Sequence, residues 1–167
     1  MDGYLLDTSF LTTLLDPNHP KHAEARRAEA ALDVGAVQYV SIVALAELIF
    51  GWRTAVKFGH GPLVAFEEKI NKAKAYPLLE PTKHTAEEYG ELKAILAKTY
   101  LKSALRKDRP RWIEEWVDRA TGQKLQVDEN DLWMCAQARE RNLVFITTER
   151  KIRRISQADP TVQLLII

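Results

Sequence analysis

The chain has 167 residues, a length typical of one domain, and is 46% hydrophobic and 28% charged. This composition is close to that of an average soluble globular protein and excludes a disordered, collagen-like or coiled-coil chain. A single cysteine, Cys135, excludes an internal disulfide framework, and the net charge of +1 neither requires nor excludes nucleic acid. No stretch is long and apolar enough for a membrane span or a leader, so we expect a cytoplasmic protein.

Short apolar segments alternate with longer ones along the chain. The short segments predict strands at residues 4–6, 37–40, 76–79, 143–146 and 162–166. The longer segments predict helices at residues 8–15, 21–32, 41–56, 63–75, 82–101 and 130–141, and a turn of helix at 149–155. This alternation is typical of an α/β sandwich in which helices flank a mainly parallel sheet of about four or five short strands.

Residues 102–126 interrupt this alternation with a polar and basic stretch, in which we predict one helix near residues 111–120. Its basic side chains favour phosphate binding, and the ring of Trp112 is suited to stacking on unpaired bases. The alternative is that Trp112 and Trp116 pack the stretch onto the domain while its charges are solvated. The basic residues include Lys102, Arg106, Lys107, Arg109 and Arg111.

Three acids stand next to predicted strand ends, namely Asp7, Asp131 and Glu149. The carboxyl ends of parallel strands meet at one edge of the sheet, where sites of α/β proteins form. A carboxylate at a helix start is also stabilised by the helix dipole, by about 0.3–1 kcal/mol. Each acid taken alone is therefore equally consistent with a structural role.

Glu47 lies in the apolar segment 42–50, with apolar residues on almost every side of the predicted helix. We therefore expect this helix to be buried on most sides, and a buried carboxylate needs a cation or hydrogen-bond donors. The alternative is a glutamate at a solvated helix edge. Several acids that converge at strand ends repel each other unless a hard cation such as Mg²⁺ or Mn²⁺ neutralises them, and such a cation can promote phosphodiester hydrolysis.

Four short motifs, in order along nearly the whole chain, resemble those of PIN-domain ribonucleases. Residues 4–9 (YLLDTS) are similar to the opening strand with its Asp-Thr/Ser-Ser pattern, and residues 46–51 (AELIFG) to a Glu-Leu-x-x-Gly helix. Residues 129–138 (ENDLWMCAQA) resemble Asn-Asp-x-x-Ile-Ala-Ala-x-Ala, and residues 144–149 (VFITTE) resemble the closing strand with Thr-x-Asp. The whole pattern is similar to VapC-type toxins of bacterial and archaeal toxin–antitoxin pairs.

The resemblance implies a PIN-like three-layer fold and an endoribonuclease that depends on Mg²⁺ or Mn²⁺ and releases a 5′-phosphate and a 3′-hydroxyl. It implies that the catalytic, metal-binding acids are Asp7, Glu47 and Asp131. Glu149 matches the fourth acidic position, where the family more often has Asp or Asn, so direct metal contact by this longer side chain stays open. Hydrogen bonds that support the site are expected from Thr8, Ser9 and Thr147.

A basic cluster follows Glu149, and we expect it to position the phosphates of an RNA strand near the acids. The alternative is an exposed helix end. The cluster consists of Arg150, Lys151, Arg153 and Arg154. Because VapC-type toxins are usually shorter, we interpret residues 102–126 as an insertion in a single domain that spans residues 1–167.

The resemblance also implies partners, namely RNA, a cognate antitoxin that blocks the acids, and a second copy of the chain. The apolar helix around residues 42–50, with the helix after it, is a candidate surface for a homodimer.

Two other functions stay open. One is a PIN-like module that binds RNA or protein with little catalysis, which the presence of all three core acids disfavours. The other is an RNA-processing nuclease without an antitoxin.

Overall fold

A computed structural model describes residues 3–60, 63–103, 105, 107 and 109–167, so Arg106 lies outside the described residues. Within these ranges the chain forms five strands and seven α-helices. The strands are β1 (Gly3–Leu6), β2 (Val37–Ser41), β3 (Leu78–Leu79), β4 (Val144–Thr147) and β5 (Leu164–Ile166). The helices are α1 (Thr8–Leu15), α2 (His22–Ala30), α3 (Ile42–Lys57), α4 (Leu63–Lys74), α5 (Lys83–Tyr100), α6 (Glu129–Glu140) and α7 (Arg153–Ala158).

The five strands form one parallel sheet in the order β3-β2-β1-β4-β5. β1 is central and buried along its whole length, since it pairs with β2 on one side and β4 on the other. The chain moves outward from β1 to β3 and then returns to β4, so the strand order reverses between β1 and β4. Parallel α/β sheets bind ligands at such a reversal, beyond the carboxyl ends of the strands. The predicted α/β fold is confirmed.

The helices pack in two groups. One group consists of α1 to α4, which contact each other, and the other consists of α5, α6 and α7. Crossovers between parallel strands are right-handed. The chain runs from β1 to β2 and β3 in one direction across the sheet and from β4 to β5 in the other, so the two groups of helices cover opposite faces. α3 also contacts α6, so residues of the two groups meet beside the strand ends. No helix of the described chain is both long and apolar enough to cross a membrane.

The expectation that α3 is buried on most sides is wrong. Leu48 and Trp52 are buried, whereas Ala46 is exposed and Phe50 is 74% exposed. The helix packs on α1, α4 and α6 and leaves an apolar face outside. An apolar helix sequence therefore indicates either a buried helix or one with an unpaired apolar face, and only the packing distinguishes these.

The prediction of a helix near residues 111–120 is also wrong. The chain there forms one 3₁₀ turn (Ile113–Glu115), flanked by extended residues, and Val117 pairs with Lys124 in an isolated antiparallel bridge. Pro110 has no N–H to donate to a helix. After the 3₁₀ turn, the Gly122 N–H donates to the Asp118 carbonyl at 2.8 Å, which closes a separate turn. The buried side chains of this 110–127 segment are Ile113, Trp116, Asp118, Leu125 and Val127.

Candidate acidic site

Asp7 lies where β1 ends and α1 begins. Its backbone N–H donates to the Ile146 carbonyl of β4 at 2.9 Å, which joins the two central strand ends. Its Oδ2 accepts hydrogen bonds from Ser9 Oγ and Thr147 Oγ1, both at 2.6 Å. The residue is 2% exposed, and this burial raises the pKa of Asp7 to about 6, against the effect of the two hydroxyl groups.

Asp131 is the third residue of α6 and is 5% exposed. Its N–H donates to Asp128 Oδ1 at 2.8 Å, and its Oδ2 accepts from the Asp128 N–H at 3.3 Å, so the two residues cap the helix reciprocally. Burial raises the pKa of Asp131 to about 8, and the charges of Asp128 and Asp7 add to this shift. Asp7 and Asp131 are therefore two buried carboxylates that repel each other.

Glu47 on α3 is half-buried and is held by polar groups next to the other two acids. Its Oε2 accepts a hydrogen bond from the Thr8 hydroxyl, and its Oε1 accepts from Asn130 Nδ2 at 2.8 Å. The sequence predicted a cation or hydrogen-bond donors for this carboxylate, and the structure supplies the donors. Asn130 was missed as a site residue, although it is the Asn of the Asn-Asp pair in the third motif.

Glu149 follows β4 and faces a lysine of its own segment. Its N–H donates to Thr147 Oγ1 at 2.9 Å, and its Oε2 lies 2.8 Å from Lys151 Nζ. Burial opposes the charged form of Lys151, yet the pKa of Lys151 is raised by its bond to Glu149 and by the charges of Asp131, Glu149 and Asp128. The ammonium of Lys151 thus pairs with Glu149 and is also attracted by the negative charges of Asp131 and Asp128.

The donor atoms around the strand ends are carboxylate and hydroxyl oxygens, which suit hard cations such as Mg²⁺ and Mn²⁺. Burial, together with neighbouring carboxylates, raises the pKa of both aspartates. Among the described residues, no three Asp, Glu, His or Cys side chains are placed so that they could hold a metal ion as they stand. The donor chemistry fits a divalent cation, but the described side chains do not form a ready-made binding site.

The predicted supporting residues Thr8, Ser9 and Thr147 all bond to acids of the site. The predicted RNA-binding residues differ in whether they are exposed or paired within the chain. Arg150 and Arg153 are exposed.

Arg154 instead faces the 110–127 segment. Its Nη1 donates to Asp118 Oδ2 at 3.1 Å, and its guanidinium lies 5.8 Å from the ring centre of Tyr100. The side chain therefore connects the segment to α5 and α7.

The two tryptophans of the 110–127 segment differ in exposure. Trp116 is 1% exposed and its Nε1 donates to the Pro110 carbonyl at 3.0 Å, so it packs the segment onto the domain. Trp112 is 49% exposed, with the Arg111 guanidinium 4.6 Å from its ring centre. The segment contacts the start of α6 through Glu129, which accepts from the Ile113 N–H at 3.2 Å.

Comparisons with known proteins agree with this architecture. The PIN domain model matches residues 4–158. VapBC2 from Rickettsia felis, solved bound to a promoter DNA fragment, has a TM-score of 0.67 at 18% identity over 98% of this chain and 97% of that chain. VapBC-1 from nontypeable Haemophilus influenzae has a TM-score of 0.62 at 24% identity, over 98% and 96% of the two chains.

VapC20 of Mycobacterium tuberculosis, a toxin that cleaves the sarcin–ricin loop, has a TM-score of 0.55 at 15% identity over 90% of this chain and 93% of that one. No curated protein sequence matches the chain significantly. At these identities the solved structures establish the fold alone. Because the PIN domain model matches residues 4–158, most of the sequence, the chain belongs to the PIN domain family.

Proposed function

We propose that this protein is an endoribonuclease that depends on Mg²⁺ or Mn²⁺ and acts as the toxin of a type II toxin–antitoxin pair. The observation that carries the proposal is the pair of buried, mutually repelling carboxylates, Asp7 and Asp131, at the reversal point of the sheet. Membership of the PIN domain family supports it, as does the likeness of the fold to VapBC structures and to VapC20, which cleaves RNA.

In this proposal Asp7, Glu47 and Asp131 bind the divalent cation, and Glu149 assists as the fourth acid. The cation, when bound, neutralises the acids, lowers the pKa of water and stabilises negative charge on the leaving oxygen of a phosphodiester. Protons compete for the same carboxylates because the pKa values of Asp7 and Asp131 are raised to about 6 and about 8. Affinity for the cation is therefore expected to rise with pH across this range.

The hydroxyl groups of the site orient these carboxylates. Ser9 and Thr147 both donate to Oδ2 of Asp7, and the Thr148 N–H donates to Ser9 Oγ at 3.2 Å. Such bonds restrict the rotation of a ligand and reduce the cost of ordering it. Thr8 does the same for Glu47 from the first residue of α1.

Basic and aromatic side chains around the acids bind the RNA in this proposal. Arg150, Lys151 and Arg153 follow Glu149 and contact phosphates. Trp112 stacks on an unpaired base, since its ring is half-exposed and its segment is bonded to the first residue of α6. Arg154 contributes by holding the 110–127 segment in place.

Protein partners are expected on the apolar face that α3 and α4 leave open. Phe50, Phe58 and Val64 are each more than 70% exposed in this part of the chain. A cavity of about 200 Å³ between the two helices is lined by Trp52 and Phe66 among others. We assign this face to a second copy of the chain, and the acidic site to the antitoxin that blocks it. Since the activity requires cellular RNA, we place the protein in the cytoplasm.

The test is cleavage of a panel of structured and single-stranded RNAs with Mn²⁺, Mg²⁺ or EDTA. Wild type is compared with Asp7→Asn, Asp131→Asn and the control Asp16→Asn. Asp16 pairs with Lys69 at the opposite end of α1, outside the site. We expect cation-dependent cleavage that falls about a hundredfold or more in the two site variants. Equal activity in all four proteins contradicts the proposal.

A further inference from the structure

The two edges of the sheet differ in how far they are open to another strand. At one edge, Pro77 directly precedes β3 and Pro81 follows it after one residue. Proline has no N–H to donate to a neighbouring strand. The Glu80 carbonyl is also bonded within the chain, since it accepts from Arg141 Nη2 at 3.1 Å. Pairing of a further strand is therefore blocked at β3.

At the other edge, β5 has none of these features. Residues 163–167 read QLLII and contain no proline and no charged side chain. Proline and charged residues, lysine above all, are the groups that natural sheets use to prevent pairing at an edge. Within the described ranges, β5 is the last strand of the sheet on this side. Its sequence therefore leaves it open to a neighbouring strand.

The backbone of β5 offers hydrogen-bonding groups on its outer side. The Gln163 carbonyl accepts from β4 at 2.9 Å, and the Ile167 N–H donates to β4 at 3.0 Å. The backbone groups of successive residues in a strand point alternately to its two sides, so the N–H and C=O of Leu164 and Ile166 face away from β4. In the part of the chain that the structure describes, these four groups form no backbone hydrogen bond. An added strand would find two donors and two acceptors there.

A groove of about 310 Å³ lies beside these backbone groups. β5 contributes the apolar residues Leu164 and Ile166 to its lining, and α7 contributes Arg153, Ser156 and Gln157. Arg153 is exposed, and α7 contains no acidic residue. The groove therefore suits side chains that are apolar or negatively charged.

These features indicate the backbone of a protein partner as the occupant. A nucleic acid strand lacks the alternating N–H and C=O groups that pair with a strand edge. A second copy of this chain, paired antiparallel through β5, would place both α7 helices along one seam and bring the exposed Arg153 side chains near each other. Like charges in such a contact are unfavourable, so an acidic partner is favoured over a second copy.

We propose that the outer edge of β5 is a docking site for an extended acidic segment of a protein partner, which adds a sixth strand to the sheet and places a carboxylate against Arg153. Backbone hydrogen bonds hold the segment, and the groove beside α7 selects its side chains. The inference does not rest on the proposed function, because neither a cation nor the acidic site takes part. Arg153 also belongs to the proposed RNA-binding surface, so the segment and RNA exclude each other at that side chain.

The probe is a labelled pentapeptide with blocked ends and the sequence Val-Glu-Val-Glu-Val. Its binding to the full chain is measured by fluorescence anisotropy, beside a lysine analogue, Val-Lys-Val-Lys-Val, which should bind about threefold or more weakly. Two further analogues carry N-methyl groups on all valines or on all glutamates of the acidic peptide. In one of them the methyl groups face β5, and that analogue should bind about tenfold more weakly because it loses backbone hydrogen bonds.

Variants of the protein test the same edge from the other side. Ile166→Pro removes an outer N–H and leaves the bonds to β4 in place, so it should weaken binding of the acidic peptide by about three- to tenfold. Ile166→Val is matched in size, keeps the N–H and should bind like wild type. Arg153→Glu should reverse the preference between the acidic and the lysine peptide. Thermal unfolding shows whether each variant is folded, and the N-methyl analogues test the edge in wild type if Ile166→Pro is not.

Three results would overturn the inference. The first is a wild type that does not bind the acidic peptide, or binds it no better than the lysine peptide. The second is equal binding of the acidic peptide and both N-methyl analogues, which would indicate attraction to the basic cluster alone. The third is an oligomeric state, measured by analytical ultracentrifugation, that falls in Ile166→Pro but not in Ile166→Val, which would make a second copy the occupant. None of these results depends on RNA cleavage, so the two proposals fail independently.

Discussion

The first turn of α6 carries two carboxylates with opposite surroundings. Glu129 faces α5 and the 110–127 segment. It accepts hydrogen bonds from Lys93 and Tyr89 of α5 and from the Ile113 N–H of the segment. Asp131, two residues later, faces the strand ends and the charges of Asp128 and Asp7. Burial acts against the charge of both residues, but the partners of Glu129 outweigh it and lower its pKa, whereas the pKa of Asp131 is raised.

This difference extends to the two regions that the carboxylates face. The 110–127 segment has little regular structure, yet its polar groups find partners within the chain, as in the Asp118–Arg154 pair. The acidic site is built at the ends of regular elements, yet its buried charges repel each other. Glu129 is thus matched by groups of the chain itself, whereas Asp131, which we propose to bind the cation, is surrounded by like charges.

The largest expected effect on stability is in the segment. Trp116→Ala removes a buried indole and should lower the free energy of unfolding by about 3–5 kcal/mol. Trp112→Ala removes a half-exposed ring from the same segment and should change it by less than about 0.5 kcal/mol. Urea unfolding of both variants checks this. Similar losses in the two would show that the segment is not anchored by Trp116.

Asp131→Asn should stabilise the protein in EDTA, by about 2 kcal/mol above pH 8. A raised pKa means that the folded protein keeps the proton, so the wild type loses stability as the pH rises toward and through about 8. The amide cannot ionise and can still accept the Asp128 N–H. The advantage should shrink as the pH falls toward 4, which thermal unfolding across pH can follow. A variant less stable than wild type at high pH contradicts the unmatched charge.

Glu129→Gln should change stability in the opposite direction from Asp131→Asn. It should lower the free energy of unfolding by about 1–2 kcal/mol at neutral pH, because Lys93 loses its charged partner. The pKa of Glu129 is lowered, so its contribution is present above the ordinary value of 4.5 and is lost as the pH falls through the lower folded value. Denaturant titrations at pH 3 and pH 7 should therefore show a larger difference at pH 7 than at pH 3. A variant as stable as wild type at both pH values would end the contrast between the two acids.

The smallest effect concerns RNA and rests on the proposed function. Trp112→Ala should weaken binding of single-stranded RNA by about three- to tenfold through lost stacking, with unchanged stability. Val117→Ala shortens another exposed side chain of the 110–127 segment and is the matched control. Anisotropy titrations measure both, and an equal change in the two variants would remove Trp112 from the RNA-binding surface.

Much of the fold was predictable because its signals are local. The alternation of strands and helices follows from hydrophobic periodicity, and the helix starts at Ser41, Thr82 and Asp128 follow from side chains that cap their own turn. The helix predicted near residues 111–120 was wrong, because the 110–127 segment forms only a 3₁₀ turn there. Its apolar residues are buried by contacts with distant parts of the chain, which override helical spacing.

The sequence by itself determined the order of the elements and marked the candidate acids, since each motif is short and lies within or beside a single strand or helix. The tertiary structure alone decided how these acids interact. The charge of Asp7 raises the pKa of Asp131 because β1 and α6 meet, and Asn130 reaches Glu47 because α3 packs on α6. Burial and charge interactions depend on distances between residues far apart in the chain, and local patterns do not contain these distances.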